Sequence, residues 1–375
     1  MDPLTDAVKA TGADAYVMYA SSRDADMRYL THFTTSDPFV FFKKPGRRGV
    51  IIVSQMEIGR ASREATAAVM TRTQAGLPDI LKTEKDAFRA TAKMIAGQVG
   101  EKILVPPDFP IALANSLSEY CTILVDKGTV RSMRAKKSTN EITAMKNVQK
   151  VTEKAMGLAI SLIKESSVKK GILHIDKKPL TAEYIKFSMH SLLLQHGCSA
   201  VDTIVSCGEE TAIPHMTGTG PLESDEPIVI DLFPVDEKTG YYADMTRTVV
   251  KGEPSPEITE MYTALYEAKR LGISRVKAGV PGAEIHQAVV DFFIDRGYES
   301  NSRGFMHNLG HGVGLQVHEL PTVGPAGKEL VSGNVITIEP GLYYPGIGGV
   351  RLEDIGVVTK TKFDNFTVFP EELSV

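Results

Sequence analysis

Four carboxylates and one histidine between Asp231 and Glu353 constrain this chain more than any other feature of its sequence. The carboxylates Asp231, Asp244, Glu339 and Glu353 lie in or beside apolar, strand-like runs such as PIVIDLF and VITIEPG, and His311 is flanked by glycines in LGHGVG. A carboxylate in such a run must leave water, which costs several kcal/mol unless positive charge pairs with it. Because Lys and Arg are sparse in these strand cores, a bound divalent metal is the simplest source of that charge.

The chemistry of these side chains narrows the choice of metal. Carboxylate oxygens with one imidazole suit Mn, Co, Fe or Zn, whereas a closed structural zinc site would use Cys and His in fours. The three cysteines, Cys121, Cys198 and Cys207, show no CxxC spacing. We expect them to be reduced and structural.

Composition excludes several classes of partner. The chain has 375 residues, 42% hydrophobic and 23% charged, which predicts a soluble globular protein of two domains. Its net charge of −4 gives no basic face for nucleic acid. No run approaches the ~18 apolar residues of a membrane span, and the N-terminus lacks an apolar signal segment. We therefore expect a cytoplasmic protein with neither a nucleic-acid nor a membrane partner.

The pattern of apolar runs changes near residue 135. Residues 1–135 alternate short strand-like runs with helical patterns, including one helix from about Asp79 to Gly100, and this predicts a small α/β domain. A basic linker then precedes Ser138 or Thr139 as N-cap of a long amphipathic helix with Glu141 in its first turn. We place the second domain at 136–375.

The sequence of the second domain predicts two helices followed by a strand hairpin, and then the same order once more. Each hairpin carries two acids: Asp231 and Asp244 are 13 positions apart, and Glu339 and Glu353 are 14 apart. Such spacing returns both acids of a pair across adjacent strands. We therefore expect two pseudo-symmetric halves, each contributing one carboxylate pair to a central site.

Five motifs occur in order along this domain. They are IPH at 213–215, IDLF with GYYADMTRT at 230–248, HNLGHGVGLQVHELP at 307–321, TIEPGLY at 337–343 and VRLED at 350–354. In these motifs the chain resembles the pita-bread metallopeptidases, and within them the prolidase and aminopeptidase P branch. The resemblance implies an α/β (α+β) architecture, in which a smaller creatinase-type N-terminal domain precedes a pseudo-symmetric catalytic domain. It also implies a homodimer in which the N-terminal domain caps the neighbouring subunit's site.

The resemblance implies two divalent ions per subunit, Mn, Co, Fe or Zn, and a role for each ligand. Asp231 resembles a bidentate ligand of one ion, Asp244 and Glu353 resemble bridging carboxylates, and His311 and Glu339 match ligands of the other ion. A hydroxide that bridges the ions would be the nucleophile. Glu339 would shuttle its proton to the departing amine.

Four further residues surround this set in the resemblance. His215 and His318 match histidines that contact the substrate carbonyl, and His307 looks like a further pocket-lining histidine. Arg351 would support the two bridging acids from behind. The other five of the nine histidines are expected to be structural or at the surface. Strand alternation points Asp354 away from Glu353, so we expect a surface or capping acid there.

The sequence departs from the family pattern in two places. The loop between Asp231 and Asp244 is two residues longer than usual, and we prefer Asp231 over Asp236, which lies in the turn. Some prolidases carry Arg just after the HExP motif to meet the substrate carboxylate, but Thr322 stands at that position. The residue that anchors the substrate carboxylate is therefore open.

The function that follows is hydrolysis of the Xaa-Pro bond of dipeptides. One alternative is an aminopeptidase P that removes the first residue of longer Xaa-Pro peptides. Another, of a different class, is a non-catalytic peptide- or protein-binding module on the same fold. Methionine aminopeptidases generally lack such an N-terminal domain, and creatinase has lost the metal ligands. No Gly-rich phosphate loop follows a strand, so no nucleotide cofactor is expected.

Overall fold

The computed structural model describes residues 2–375. The chain divides into two compact units, an N-terminal unit that ends at Arg134 and a C-terminal unit, Ala135–Val375. None of the helices in the described residues is both long and apolar enough to cross a membrane.

The N-terminal unit is built on one six-stranded mixed sheet. Its strand order is β4-β3-β2-β1-β5-β6, antiparallel between β1, β2 and β3 and parallel elsewhere. The strands are β1 (Ala15–Ala20), β2 (Phe39–Lys43), β3 (Val50–Val53), β4 (Ala68–Thr71), β5 (Lys102–Val105) and β6 (Thr122–Val125). The helices are α1 (Pro3–Thr11), α2 (Ala25–Thr31), α3 (Ile58–Glu64), α4 (Leu77–Thr83), α5 (Ala87–Val99), α6 (Ile111–Leu117) and α7 (Thr129–Ala135).

Both faces of this sheet are buried. Tyr16 and Met18 belong to one hydrophobic core, and Ala15 and Val17 belong to another, because successive side chains of β1 point to opposite faces. A sheet with two buried faces explains why these strands read as continuous apolar runs.

The single helix expected from about Asp79 to Gly100 is two helices, α4 and α5. The break falls at Asp86, whose side chain accepts a hydrogen bond of 2.8 Å from the backbone N–H of Arg89. An acid that caps a helix in this way starts a new helix within a run that has helical periodicity.

The C-terminal unit contains two similar halves, each with two helices packed on strands. The first half contains α8 (Thr139–Glu165), β7 (Ser167–Lys169), β8 (Ile172–Ile175), β9 (Lys178–Pro179), α9 (Ala182–Gln195), β10 (Cys198–Ser199), β11 (Ile204–Cys207), β12 (Pro227–Leu232), β13 (Val235–Asp236) and β14 (Met245–Val250). The second half contains α10 (Pro256–Arg275), α11 (Gly282–Asp295), β15 (Gly310–Gly312), β16 (Glu319–Val323), β17 (Val335–Ile338), β18 (Gly341–Tyr344), β19 (Gly348–Arg351), β20 (Asp354–Val358) and β21 (Phe363–Asn365). Each half has its own hydrophobic core.

Helix α8 begins as the sequence predicts. Ser138 is the N-cap, and its hydroxyl accepts from the Glu141 N–H while the Glu141 carboxylate accepts from the Ser138 N–H. This reciprocal pair satisfies two N–H groups that the first turn of a helix leaves without partners. The small antiparallel sheet β7-β8-β9 that follows α8 was not predicted, because its strands have only two to four residues.

Candidate metal centre

Strand register brings the two acids of each hairpin together. In the first half Asp231 lies opposite Thr246 across β12 and β14, so Asp244, two positions before Thr246, is its diagonal neighbour. In the second half Ile338 lies opposite Asp354 and Gly341 lies opposite Arg351. Continuing that register places Glu339 opposite Glu353, between the two strand pairs.

Direct hydrogen bonds join the two halves at these acids. The N–H of Glu353 donates to the carbonyl of Thr246 at 3.1 Å. Two positions along, the hydroxyl of Thr248 bonds both the N–H and the carbonyl of Arg351 at 2.9 Å. Strand β14 therefore lies beside the segment that carries Glu353, which brings Asp244 close to Glu353.

One close set of candidate ligands comes from both halves. Asp244, His311 and Glu353 each offer a ligand atom within 4.8 Å of the others. The Nε2 atom of His311 lies 3.7 Å from Asp244 Oδ2 and 3.2 Å from Glu339 Oε1. The four residues lie close enough together to act on one bound cation.

Glycines allow the strand of His311 to approach its neighbours closely. A Cβ atom on Gly310 would lie 2.0 Å from the carbonyl oxygen of Thr337, and one on Gly312 would lie 2.2 Å from that of Leu320. The register of β15 and β16 also shifts between His311 and Gly312. Only glycine fits at these two contacts, which explains the LGHGVG pattern.

The orientation of the His311 ring suits a metal ligand. Its Nδ1 lies 3.1 Å from the Gly312 carbonyl oxygen, which can only accept, so Nδ1 carries a proton and donates. In the neutral ring, Nε2 then keeps its lone pair and faces the carboxylates. A backbone carbonyl that fixes the tautomer in this way is the usual arrangement behind a metal-binding imidazole.

Asp231 lies at the edge of the same group, and only one of its two carboxylate oxygens has a hydrogen-bond partner in the described residues. Its Oδ2 accepts a 2.7 Å hydrogen bond from Arg351 Nη2. Its Oδ1 is buried and has no hydrogen-bond partner in the described residues. A buried carboxylate oxygen without a partner is costly, and a bound cation would satisfy it.

The negative charges of these carboxylates are close together and destabilise one another. Burial raises the pKa of Asp244 and of Glu353 well above their usual values, and the neighbouring carboxylates add to the rise. Although burial opposes its charge, the hydrogen bond to Glu339 raises the pKa of His311 to about 9. Although desolvation opposes the charge of Glu339 as well, the same bond lowers its pKa to about 2. The donor set, carboxylates with one imidazole, therefore fits a divalent cation.

Two threonines hold the candidate ligands from behind. The hydroxyl of Thr246 donates to Glu353 Oε2 at 2.9 Å and accepts from Arg351 Nε at 3.2 Å. The hydroxyl of Thr337 donates to Glu339 Oε1 at 3.3 Å. These bonds fix the direction in which each carboxylate points.

We did not single out Thr246 or Thr337 from the sequence, although a signal was present. Thr246, Thr337 and Arg351 each stand two positions from a candidate ligand in or next to a strand, and residues two apart share a face of a strand. A polar residue at that spacing in an apolar strand marks a partner of the ligand.

Arg351 contacts one candidate ligand directly and a second through a threonine. Its guanidinium pairs with Asp231, and its Nε donates to the Thr246 hydroxyl, which in turn donates to Glu353. It also donates to the hydroxyl of Tyr343 at 2.8 Å and to the carbonyl of Pro214 at 3.3 Å. The contact with Pro214 brings the IPH segment to the edge of the group.

His307 is held by two hydrogen bonds. Its Nδ1 lies 2.8 Å from the carbonyl oxygen of Asn308 and therefore donates, so Nε2, 3.0 Å from the Tyr343 hydroxyl, accepts. Burial lowers the pKa of His307, in agreement with a neutral ring. A chain of hydrogen bonds thus runs from Arg351 through Tyr343 to His307.

The other two predicted histidines are exposed near the candidate ligands. The His318 ring packs edge-to-face on that of His311, with 4.2 Å between ring centroids. Desolvation by neighbouring groups, and then the proximity of His311, lower the pKa of His318. His215 follows Pro214, whose carbonyl binds Arg351, and its side chain is exposed.

The expectation that Asp354 is a surface or capping acid is wrong. Its side chain is 4% exposed and accepts from Arg247 at 3.0 Å and from Lys269 at 2.7 Å. Although burial opposes its charge, these two cations lower the pKa of Asp354. Asp354 does point away from Glu353, but the opposite face is covered by α10.

Comparison with known proteins assigns the family. The model of metallopeptidase family M24 matches residues 143–360, more than half of the chain, and that of the creatinase/prolidase N-terminal domain matches residues 1–154. The chain belongs to metallopeptidase family M24. The predicted fold, a creatinase-type N-terminal domain followed by a pita-bread catalytic domain, is thereby confirmed.

Several M24-like proteins are similar over part or all of the chain. An uncharacterized peptidase of Staphylococcus aureus is 34% identical over 244 residues, and the match spans 64% of each chain. The structure of a Xaa-Pro dipeptidase from Bacillus anthracis has 25% identity and a TM-score of 0.83, covering 100% of this chain and 98% of the other. That of an X-Pro aminopeptidase from Thermotoga maritima has 25% identity and a TM-score of 0.80, covering 99% and 100%.

Proposed function

We propose that this M24 metallopeptidase hydrolyses the Xaa-Pro bond of dipeptides with two divalent metal ions. The observation that carries the metal-dependent chemistry is the convergence of Asp244, His311 and Glu353 within 4.8 Å of one another, beside an orphaned buried oxygen of Asp231. The choice of the Xaa-Pro bond is supported by similarity to a Xaa-Pro dipeptidase over the whole chain.

Five side chains would hold the ions: Asp231, Asp244, His311, Glu339 and Glu353. Mn, Co, Fe and Zn all accept this mixture of oxygen and nitrogen donors. When bound, a pair of divalent ions polarises the peptide carbonyl and lowers the pKa of water, so that a hydroxide nucleophile is present near neutral pH.

Glu339 is the group we propose for proton transfer. Its carboxylate is partly exposed, at 16%, and is directed by Thr337 and His311. As a carboxylate beside the proposed water site, it can take a proton from water. The same carboxyl group then delivers that proton to the proline nitrogen, which must be protonated to leave as an amine.

His318 and His215 are proposed to bind the carbonyl oxygen of the scissile bond. The lowered pKa of His318 keeps its ring neutral, with one N–H to donate. Both side chains are exposed, as a group that contacts substrate must be. A donor directed at the developing oxyanion typically contributes ~10²-fold or more to the rate.

His307 and Arg351 are assigned to positioning. Both nitrogens of His307 are engaged, by Asn308 and Tyr343, so the ring has no free group for substrate. Through Tyr343 it orients Arg351, which orients Asp231.

Thr322 bears on the choice between dipeptides and longer peptides. It lies directly opposite His311 across β15 and β16, and cross-strand partners share a face of the sheet. A hydroxyl there can donate one hydrogen bond to a carboxylate but brings no charge. Replacing Thr322 with Arg should therefore lower KM for a dipeptide more than for a tripeptide.

The second candidate is an aminopeptidase P that removes the first residue of longer Xaa-Pro peptides. Its support is the similarity to an X-Pro aminopeptidase, equal in identity to that of the dipeptidase. The homodimer, the capping role of the N-terminal domain and the cytoplasmic location stay predictions from the sequence.

One experiment separates the two candidates. The protein is stripped with chelator, Mn²⁺ or Co²⁺ is restored, and proline release from Met-Pro is measured beside cleavage of a Xaa-Pro-Yaa tripeptide. We expect metal-dependent cleavage of the dipeptide with the tripeptide left intact. Preferential cleavage of the tripeptide would make the protein an aminopeptidase P, and no cleavage with any metal would favour a binding module.

A variant of Glu339 tests the catalytic proposal against a binding module. Glu339→Gln should keep peptide binding but lose hydrolysis by orders of magnitude, because the neutral amide can neither accept the proton nor bind a cation as a carboxylate does. Glu329→Gln, at an exposed position of the same half, is the matched control and should keep full activity. Equal activity of the two variants would exclude Glu339 from proton transfer.

A further inference from the structure

A second group of charged side chains is buried behind the candidate metal centre. The side chains of Arg247, Lys269 and Asp354 are each at most 4% exposed. One oxygen of Asp354 accepts from Arg247 Nη2 at 3.0 Å, and the other accepts from Lys269 Nζ at 2.7 Å. Lys269 also donates to Glu371. These four residues, here called the charge cluster, contain two cations and two anions and are neutral together.

The charge cluster shares its strands with the candidate ligands. Arg247 lies in β14, three positions after Asp244, which directly precedes that strand, and Asp354 directly follows Glu353. Odd spacings point side chains to opposite faces of a strand. The same two segments therefore present metal ligands on one face and the charge cluster on the other.

Arg247 also binds the backbone of Glu353 directly. Its Nη1 donates to the carbonyl oxygens of Glu353 at 2.7 Å and of Thr246 at 2.9 Å. Its Nε donates to the carbonyl oxygen of Pro370 at 3.0 Å. Its Nη2 donates to the carbonyl oxygen of Phe369 and to the carboxylate of Asp354. All five guanidinium N–H donors are thus engaged, so the planar group is held in one orientation.

These bonds connect the segment 369–375 to the metal centre. Beyond Pro370 and Glu371, the Val250 N–H donates to the carbonyl of Leu373 at 2.6 Å, and the Val375 N–H donates to the carbonyl of Val250 at 3.0 Å. The segment therefore lies along β14 from Arg247 to the end of the strand. None of the hydrogen bonds found for its residues ends on a candidate ligand's side chain.

Stability alone does not explain a buried charge cluster. Replacing buried ion pairs with apolar side chains of similar volume is often neutral or stabilising, because desolvation offsets the attraction between the charges. What a neutral, fully hydrogen-bonded cluster does provide is a fixed geometry, since its directional bonds allow one arrangement of the segments that it joins.

We propose that the charge cluster is a positioning unit that sets the separation between Asp244 and Glu353, and that Glu371 makes segment 369–375 part of it. Arg247 holds the Glu353 backbone against β14, Asp354 holds Arg247 in place, and Lys269 links Asp354 to Glu371. This inference rests on the metal site of the proposed function. It assigns to the metal centre four residues that contact neither metal ligand atoms nor substrate.

The test compares two neighbouring acids by calorimetric titration of Co²⁺ into the chelator-stripped full chain. Glu371→Gln removes the carboxylate that binds Lys269, whereas Glu372→Gln makes the same charge change at an exposed neighbour. We expect Glu371→Gln to lower Co²⁺ affinity roughly 3- to 10-fold, below the ~10–100-fold typical of a direct partner of a ligand. Glu372→Gln should stay within about twofold of the unchanged protein.

Two further readouts separate positioning from general stability. Glu371→Asp, which keeps the charge, should recover part of the affinity, and Met-Pro hydrolysis by Glu371→Gln should lose kcat with little change in KM. Should Glu371→Gln not fold, Lys269→Arg, which keeps the charge but alters the reach of its donors, should show the same loss of affinity.

The outcomes are distinct. A lower unfolding temperature with unchanged Co²⁺ affinity in Glu371→Gln would overturn the proposal and leave the cluster a stabilising one. Equal losses in Glu371→Gln and Glu372→Gln would also overturn it, because net charge would then explain the effect. If the unchanged protein binds no Co²⁺, the proposed metal site itself is refuted, and the positioning proposal with it.

Discussion

Replacing Thr246 with Val removes one hydroxyl and changes little else. Valine keeps the shape and β-branching of threonine, so the fully buried site should not collapse or overpack. Two hydrogen bonds disappear: the 2.9 Å bond to Glu353 Oε2 and the 3.2 Å bond from Arg351 Nε. The strand and its backbone hydrogen bonds to the second half remain. The substitution therefore isolates the contribution of the hydroxyl that holds Glu353.

The expected size follows from the charge of the partners. A hydrogen bond to a charged group contributes about 1.5–3 kcal/mol. Each 1.4 kcal/mol corresponds to about a tenfold change in an equilibrium constant, so full loss would weaken metal binding by ~10–150-fold. Because Glu353 is one of five candidate ligands and keeps its backbone contacts, we expect the lower part of that range, about tenfold.

Thr248→Val is the matched control. Thr248 lies two positions along the same strand and is equally buried, but its hydroxyl bonds the backbone of Arg351 and no carboxylate. Both variants should lower the unfolding temperature, whereas only Thr246→Val should lower the affinity for Co²⁺ or Mn²⁺ in calorimetric titration. A change below twofold in Thr246→Val, or an equal loss in Thr248→Val, would refute the idea that this hydroxyl orients Glu353.

Three further substitutions test other parts of the structure. Lys137→Met removes the ammonium that contacts the Glu319 carboxylate at 2.6 Å, and both side chains are at most 5% exposed. The substitution should lower the free energy of unfolding in urea by about 3–5 kcal/mol, and the double variant Lys137→Met/Glu319→Gln should recover part of that loss. Ser138→Ala should cost about 1 kcal/mol through the α8 cap without changing kcat/KM, and an unchanged unfolding midpoint would contradict the capping role. Gly312→Ala should abolish Co²⁺ binding because its Cβ would lie 2.2 Å from a backbone oxygen, whereas Gly97→Ala, with open space, should be neutral or stabilising.

Local signals explain why much of the fold could be predicted from the sequence. The start of α8 is encoded by Ser138 and Glu141 alone, three residues apart. The strand-like runs of β12 and β14, with Asp231 and Asp244 13 positions apart, predict a hairpin that returns Asp244 towards Asp231. Both features depend on residues that are close together in the sequence, so they can be predicted without knowing how distant parts of the chain pack.

The error at Asp354 has the opposite cause. Alternation correctly directs its side chain away from Glu353, but whether that face is solvent or core depends on a distant part of the chain. Lys269, which binds it, is 85 positions away, and Arg247 is 107 positions away. A side chain's direction can be inferred from a strand's period, but its burial requires knowing which helix covers the strand.

The candidate site depends on both halves of the C-terminal unit at once. Asp231 and Asp244 belong to the first half, and His311, Glu339 and Glu353 belong to the second. Each half alone would carry carboxylates with too few partners. Packing the halves together buries Asp244 and Glu353 and brings other carboxylates close, and both effects raise their pKa. The backbone bond from Glu353 to Thr246, together with Arg351 and Arg247, holds the halves together despite that repulsion. Since a bound cation would contact acids of both halves, its binding energy would oppose their separation, which links the metal site to the stability of the fold that forms it.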